Sequence, residues 1–200
     1  MKSTIASPVR LLGSGHEYQK NNIKRKSKNL LILLFATLTL SSCEKDDNPE
    51  TTNPVSQLPA ATQVGANTFG CLLDGEPFKP DNLSNSTNCF YQLVDGEYFF
   101  TVRASYKNSN STSTTLALKT EKKDINQGFT YDLLNPDPNQ AYGLFSYGFV
   151  YYTSEMHTGK LTITKLTNQI VSGTFYFDIM DNNGVLHQIR EGRFDFKYTN

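Results

Sequence analysis

Residues 88–105 have the sequence NCFYQLVDGEYFFTVRAS. Two segments rich in aromatic and β-branched side chains flank Asp95-Gly96, a pair that is typical of the tight turns in β-hairpins. The stretch therefore predicts two antiparallel strands joined by a short turn. It also sets the pattern for the rest of the chain, in which no helical period is evident.

The region from Ala66 to Asn200 repeats this alternation of short strands and turns. About nine strands are expected, which predicts an all-β domain, an antiparallel β-sandwich, with a β-barrel as the alternative. The aromatic segment Ala141–Thr153 is predicted to be one long strand, bent at Gly143 or Gly148.

A basic cluster at residues 24–28 precedes an apolar segment, Leu30–Cys43, with the sequence LLILLFATLTLSSC. This order is typical of a secretory signal, and the apolar run is too short for a membrane-spanning helix, which needs about 20 residues. The end of the segment, Leu40-Ser41-Ser42-Cys43, resembles the bacterial lipobox. The sequence therefore predicts a signal peptide over residues 1–42, with an over-extended N-terminus, and lipidation of Cys43.

The residues after Cys43 suggest a destination. Lys45, Asp46 and Asp47 resemble the export tag of lipoproteins of the Bacteroidota, which favours an outer-membrane protein on the cell surface. A solvated acidic linker, with the domain on the periplasmic face, is the alternative. Residues 43–65 are rich in Pro, Thr and Asn, so a flexible tether is predicted there and a β domain over residues 66–200.

Charge limits the choice of partners. The residues from Cys43 onward contain 12 Lys or Arg and 18 Asp or Glu, a formal net charge of −6. This balance argues against nucleic acid and against anionic lipid surfaces as partners. The expected membrane contact is the acyl anchor alone, and no cofactor is predicted.

Two cysteines, Cys71 and Cys89, remain in the exported part. Disulfides persist in oxidising compartments, and a bridge here would stabilise the fold by roughly 3 kcal/mol in the chain-entropy model. The alternative is a pair of buried free thiols on neighbouring strands, since free cysteine packs as a small apolar residue.

Several blocks of sequence carry a resemblance to a known family. They are ATQVGANTFGCLLDGEPF at 61–78, GKLTITKL at 159–166, QIVSGTFYFDI at 169–179 and REGRFDFKY at 190–198. In order and in content they resemble a family of Bacteroidota lipoproteins known as domain of unknown function 6252. The resemblance implies export and a β-rich domain, and it implies no catalytic residue.

Carboxylates near the C-terminus are the first candidates for catalytic chemistry. Glu191, Arg193 and Asp195 alternate with apolar residues, so all three are expected on the solvent face of the last strand. Two carboxylates on one face could suit glycoside hydrolysis, but Arg193 between them favours an ion pair. A cluster of oxygen-bearing side chains at Asp178, Asp181, Asn182 and Asn183 lacks the full calcium-loop pattern.

Nucleophiles and metal ligands give no stronger signal. Ser172 lies inside a strand pattern, without the strand-to-helix elbow and histidine base of serine hydrolases. The three histidines, His16, His157 and His187, show no metal-ligand spacing. No catalytic residue and no metal site are therefore predicted, and the protein is expected not to be an enzyme.

The densest aromatic stretch offers the best binding site. Tyr142, Tyr147, Tyr151 and Tyr152 occupy both parities of one segment, so some rings should face solvent, where tyrosine stacks on sugars or docks proteins. The leading hypothesis is a binding or accessory module for an extracellular glycan or protein. A structural or envelope-assembly component with only protein partners is the alternative, and a hydrolase is the least favoured class.

Overall fold

The computed structural model describes residues 53–81, 85–107 and 111–198. No helix in these ranges is long and apolar enough to cross a membrane. The elements are a 3-10 turn, Pro54–Gln57, and eleven strands: β1 (Thr68–Leu73), β2 (Glu76–Phe78), β3 (Thr87–Val94), β4 (Glu97–Lys107), β5 (Ser113–Glu121), β6 (Thr130–Leu133), β7 (Gln140–Tyr147), β8 (Phe149–Tyr152), β9 (Gly159–Leu166), β10 (Ile170–Met180) and β11 (Leu186–Lys197).

The strands form one open sheet in the order β2-β1-β11-β10-β9-β6-β7-β5-β4-β3, with β8 paired to β7. Strand β6 links the two halves, since it pairs antiparallel with β9 and parallel with β7 through Leu133 and Ala141. The halves lie face to face, and the rings of Phe100 on β4 and Phe194 on β11 have centroids 6.1 Å apart. The predicted all-β sandwich is confirmed, with eleven strands in place of about nine.

The core lies between these two layers and is filled from alternate positions of each strand. On β10, Val171, Phe175, Phe177 and Ile179 are buried, whereas Tyr176 is exposed. Full burial of one such side chain contributes about 1.5–3 kcal/mol. The period of two therefore fixes which face of each strand points inward.

The predicted hairpin at Asp95-Gly96 is confirmed. Both turn residues have positive φ, +52° and +82°, as a type I′ turn requires, and β3 pairs with β4 from Thr87–Ala104 to Val94–Glu97. Residues 76–78 form the short edge strand β2, beyond a second turn of the same kind at Asp74 and Gly75.

The prediction of one long strand over Ala141–Thr153 is wrong. The chain reverses at Gly148, where φ is +73°, and β8 returns along β7 with Tyr151 opposite Phe145. Glycine adopts this conformation without the steric cost that a Cβ imposes, so the reversal needs a single small residue. The outcome is a β-hairpin in which Tyr142 and Tyr147 lie on β7, whereas Tyr151 and Tyr152 lie on β8.

The predicted tether also ends earlier than expected. Residues 53–66, called the strap here, lie against the outer side of β1 and β11 and not free in solvent. Leu58 is buried, and a Cβ built on Gly70 of β1 would lie 2.5 Å from Cδ of Pro59. The boundary predicted at residue 66 is therefore wrong, because the apolar contacts of Leu58 and Pro59, together with hydrogen bonds from residues 62–66, hold this polar segment on the sheet.

Candidate functional site

The four tyrosines proposed as a binding set do not share one surface. Tyr151 points inward and stacks on Phe145, whereas Tyr142 and Tyr152 point outward and meet edge-to-face at 5.9 Å. Tyr147 is exposed beside the turn at the end of β7. The division follows from the hairpin, because Tyr152 lies opposite Leu144 and next to Tyr142 on the outer face.

The outward pair borders a depression on the layer β3-β4-β5-β7-β8. This depression, called the outer groove here, has a volume of about 420 Å³ and is lined by Asn88, Phe90, Thr101, Arg103, Thr115, Ala117, Lys119, Leu144, Ser146 and Val150. Five neighbouring strands spaced at about 4.8 Å give it a width of roughly 19 Å, more than one sugar ring needs.

Strand register explains how these side chains come together. One row across the layer runs Phe90, Thr101, Lys119, Tyr142. The next row runs Asn88, Arg103, Ala117, Leu144, Tyr152. Thr101, Ala117 and the two cations Arg103 and Lys119 therefore lie at the centre of the layer, with Phe90 near one edge and Tyr152 near the other.

The aromatic edges differ in exposure. Tyr152 is 44% exposed and Val150 is 50% exposed, so β8 forms an accessible apolar wall. Tyr142 is buried beneath it, and burial, followed by the nearby Glu121 and Tyr152, raises the pKa of Tyr142 to about 12. Its hydroxyl therefore keeps its proton near neutral pH.

Two cations lie on the floor of the outer groove. Lys119 places its Nζ 5.8 Å from the ring centroid of Tyr142, within the range of a cation–π contact. Arg103 has no carboxylate within 4 Å among the residues that the structure describes, whereas Arg190 and Arg193 each have one. The groove lining itself contains no Asp, Glu or His, and Glu121, two residues from Lys119 on the same face of β5, lies outside it.

A second depression, of about 480 Å³, lies on the other layer beside Tyr176 and Glu191. Its three cations are already paired: Lys160 with Asp132, Arg190 with Asp178 and Arg193 with Glu191. Because each of these cations is in an ion pair with a carboxylate, its charge is less available to a ligand. This surface is therefore the weaker candidate and a useful control.

A third depression, of about 560 Å³, is lined by residues of β2 and by Pro80, Asp81, Tyr106 and Thr114, among others.

The expectation for the acidic residues of β11 is wrong in one part. Glu191 is exposed and its Oε2 lies 3.3 Å from Nη2 of Arg193, which confirms the ion pair. Asp195, however, is only 1% exposed, because the strap covers it. A bulge at Arg190 and Glu191 opposite Tyr176, with φ of +53° at Glu191, further breaks the simple alternation.

Asp195 is occupied by a structural network. Its carboxylate accepts hydrogen bonds from the hydroxyls of Thr62 and Ser172, at 2.6 and 2.7 Å, and from the backbone N–H groups of Val64, Gly65 and Ala66. Ser172 is buried. This serine, which was considered as a nucleophile, instead helps to hold the strap on the sheet.

The histidines and the acidic turn are placed in separate structural roles. Nδ1 of His187 lies 2.8 Å from Oδ2 of Asp74, and its ring packs on Phe145 with centroids 4.6 Å apart. Asp181 accepts hydrogen bonds from the backbone N–H groups of Asn183 and Val185, both at 2.8 Å.

Asp178, the other acidic member of the calcium cluster that was considered, pairs with Arg190, and His157 is half-buried in the loop before β9. The described residues contain no group of three or more His, Cys, Asp or Glu that could hold a metal ion.

Cys71 and Cys89 are both free and buried. The disulfide alternative is therefore not what the structure contains, and the placement on neighbouring strands is wrong, since β1 and β3 lie in different parts of the sheet. Burial raises the pKa of both thiols well above its usual value, so neither is poised as a nucleophile.

Other expectations fall outside the described residues. They concern the signal peptide, His16, lipidation of Cys43 and the export tag at Lys45, Asp46 and Asp47.

Comparison with protein-family models found no match, and searches of curated proteins and of solved structures also found none.

Proposed function

We propose that the protein is a lipid-anchored outer-membrane module, displayed on the cell surface, that binds an extracellular glycan in the outer groove without enzymatic activity. The observation that carries the proposal is the combination, on one open sheet face, of an accessible tyrosine edge with hydrogen-bonding and cationic side chains on the floor. Sugar rings present apolar faces edged with hydroxyls, and such a surface is complementary to both.

The composition of the groove supports a binding role and not a hydrolytic one. Glycoside hydrolysis generally requires two carboxylic acids on either side of the scissile bond. The lining residues include no carboxylate. The two carboxylates that the sequence offered as an alternative, Glu191 and Asp195, lie on β11 of the other layer, with Asp195 buried.

The strap places a limit on the anchor that we propose. If Cys43 carries the acyl chains, only the ten residue steps to Asn53 separate it from the first described residue. Such a chain spans at most about 35 Å, and the domain would therefore stay close to the membrane.

The test is binding of glycans to the chain from residue 43 onward, made soluble by Cys43→Ser, followed by titration calorimetry. Tyr152→Ala should weaken binding at least tenfold, since one stacking contact is removed. Tyr176→Ala is the matched control, because Tyr176 is similarly exposed, at 48% against 44%, on the opposite outer face. Equal effects of the two substitutions would contradict the proposed site.

A protein partner is the second candidate, and one observation favours it. Tyr147 and Phe149 are 51% and 68% exposed at the tip of the β7–β8 hairpin, where a rigid aromatic pair could dock into another protein. Crosslinking on intact cells tests this. Phe149→Ser should abolish crosslinking to this partner. Phe129→Ser, which changes another exposed ring, at 59% against 68% for Phe149, should leave the crosslink in place.

A further inference from the structure

We propose that the glycan held in the outer groove is an acidic polysaccharide, whose carboxylate or sulfate group binds between Arg103 and Lys119. This inference rests on the proposed function and names the chemical class of its ligand. It starts from Arg103 and Lys119, neither of which forms an ion pair within 4 Å among the described residues, and from a groove lining that contains no carboxylate.

The sheet register brings the two cations together. Arg103 on β4 lies opposite Ala117, and Lys119 is two residues further along β5 on the same face. Diagonal neighbours of this kind have Cα atoms about 7–8 Å apart, and the methyl group of Ala117 between them leaves room above the sheet. An anion there can accept hydrogen bonds from the guanidinium fork and from the ammonium at once.

The electrostatic setting favours an anion at this place. Every arginine on β11 is matched by a carboxylate, Asp178 for Arg190 and Glu191 for Arg193. Arg103 has no such partner in the described chain. Lys119 has none within 4 Å there either, since its Nζ lies over the ring of Tyr142 and Glu121 is two residues away on the same face of β5. An acidic ligand supplies a counter-charge for Arg103, and it does not have to displace a protein carboxylate that is already bound there.

The rest of the chain restricts which anions can bind. With a formal net charge of −6 from Cys43 onward, the protein repels polyanions in general. A ligand must therefore place its negative charge inside the groove, close to Arg103 and Lys119. The rings of Phe90 and Tyr152 at the two edges also favour a ligand that has flat apolar faces. A sugar acid meets both requirements.

The experiment compares two forms of one polymer by calorimetry on the Cys43→Ser chain: polygalacturonate and the same polymer with its carboxylates methyl-esterified. We expect the acid form to bind at least tenfold more tightly. Arg103→Gln and Lys119→Gln should each weaken that binding by about 10- to 100-fold, the effect of losing a hydrogen bond between charged groups. Lys160→Gln, which removes the same charge from the other layer, should leave it unchanged.

A second pair of ligands separates carboxylate from sulfate recognition: chondroitin sulfate and its desulfated form. Tighter binding of polygalacturonate or of chondroitin sulfate than of its uncharged or desulfated form supports the inference, provided that Arg103→Gln and Lys119→Gln both remove this preference. Equal binding of the charged and uncharged members of both pairs overturns the inference. Binding of the uncharged polymers that is abolished by Tyr152→Ala would still support the proposed glycan-binding function. Binding of polyglutamate as tight as that of polygalacturonate would overturn sugar recognition, and binding of no glycan at all would overturn both proposals.

Discussion

The backbone N–H of Gly65 donates a 2.8 Å hydrogen bond to Oδ1 of Asp195, which lies 130 residues later in the chain. Ser172 donates to the same oxygen from β10. One buried carboxylate thus joins the strap to two strands of the sheet. It turns a polar segment that looks like a linker into part of the folded domain.

Asp195→Asn should destabilise the domain by about 2–4 kcal/mol. The asparagine amide keeps one acceptor oxygen, but its NH₂ group replaces the second oxygen and cannot accept hydrogen bonds. The donors that pointed at that oxygen are then left without a partner, and unsatisfied buried polar groups lower the free energy of unfolding. Urea unfolding followed by fluorescence measures the change. Asp95→Asn is the control and should be nearly neutral, since Asp95 is an exposed turn residue with φ of +52°, a conformation that asparagine tolerates.

Stability should also fall in acid through Asp195. Burial raises the pKa of its carboxyl, but hydrogen bonds from Thr62, Ser172, Ala66 and Val64 outweigh this and hold the pKa well below the usual 3.8. Because the folded pKa is the lower one, the carboxylate stabilises the fold fully above about pH 5 and this contribution is lost as the pH falls further.

Unfolding free energies near pH 7 and near pH 3 test the effect. The loss between the two should be smaller in Asp195→Asn than in the unsubstituted chain, because the substituted group does not titrate. An identical loss in both proteins would show that Asp195 does not carry the pH dependence.

Removing the strap should cost stability. A chain that begins at Ala66 lacks the Thr62, Val64 and Gly65 donors to Asp195 and uncovers the surface beneath Leu58. We expect its midpoint in urea to fall well below that of a chain beginning at Asn53. Coincident unfolding curves would mean that residues 53–65 are a tether after all.

The two core thiols should be unreactive until the protein unfolds. In the Cys43→Ser chain, Cys71 and Cys89 are buried and free, and thiolate, the reactive form, is suppressed by their raised pKa. A thiol reagent should label neither in native buffer and both in denaturant without reductant. Failure to label either in denaturant would indicate a disulfide.

Local signals in the sequence predicted the local parts of the fold. Asp95-Gly96 specifies its own turn conformation, so the hairpin around it could be recognised without knowledge of the rest. Gly148 could not be interpreted in the same way, because a lone glycine in an aromatic run marks a bend, a bulge or a reversal equally well. In the structure the chain reverses at Gly148, and β8 pairs antiparallel with β7.

The burial of Asp195 depends on contacts that no short window of sequence contains. Alternation correctly places Asp195 on the outer side of β11, away from Phe194 and Phe196, which are buried in the core. Whether that side meets water depends on Thr62–Ala66, about 130 positions earlier, folding back over it. The sequence therefore predicts the direction of the side chain and misses its environment.

The candidate site was predicted only in part. The tyrosine-rich segment does supply Tyr142 and Tyr152 beside the outer groove, but Arg103 and Lys119 were missed. Each cation flanks buried residues, such as Val102 and Leu118, so an outward direction was available from alternation. Their proximity required the pairing of β4 with β5, which the sequence does not state.

Backbone amide chemical-shift mapping during a glycan titration tests the central claim most directly. The outer groove predicts that the largest shifts fall on β3, β4, β5, β7 and β8, around Arg103, Ala117 and Tyr152. The matched depression around Tyr176 and Glu191 should be unaffected. Shifts centred on that second depression, or spread evenly over both layers, would contradict the assignment of the outer groove as the binding site.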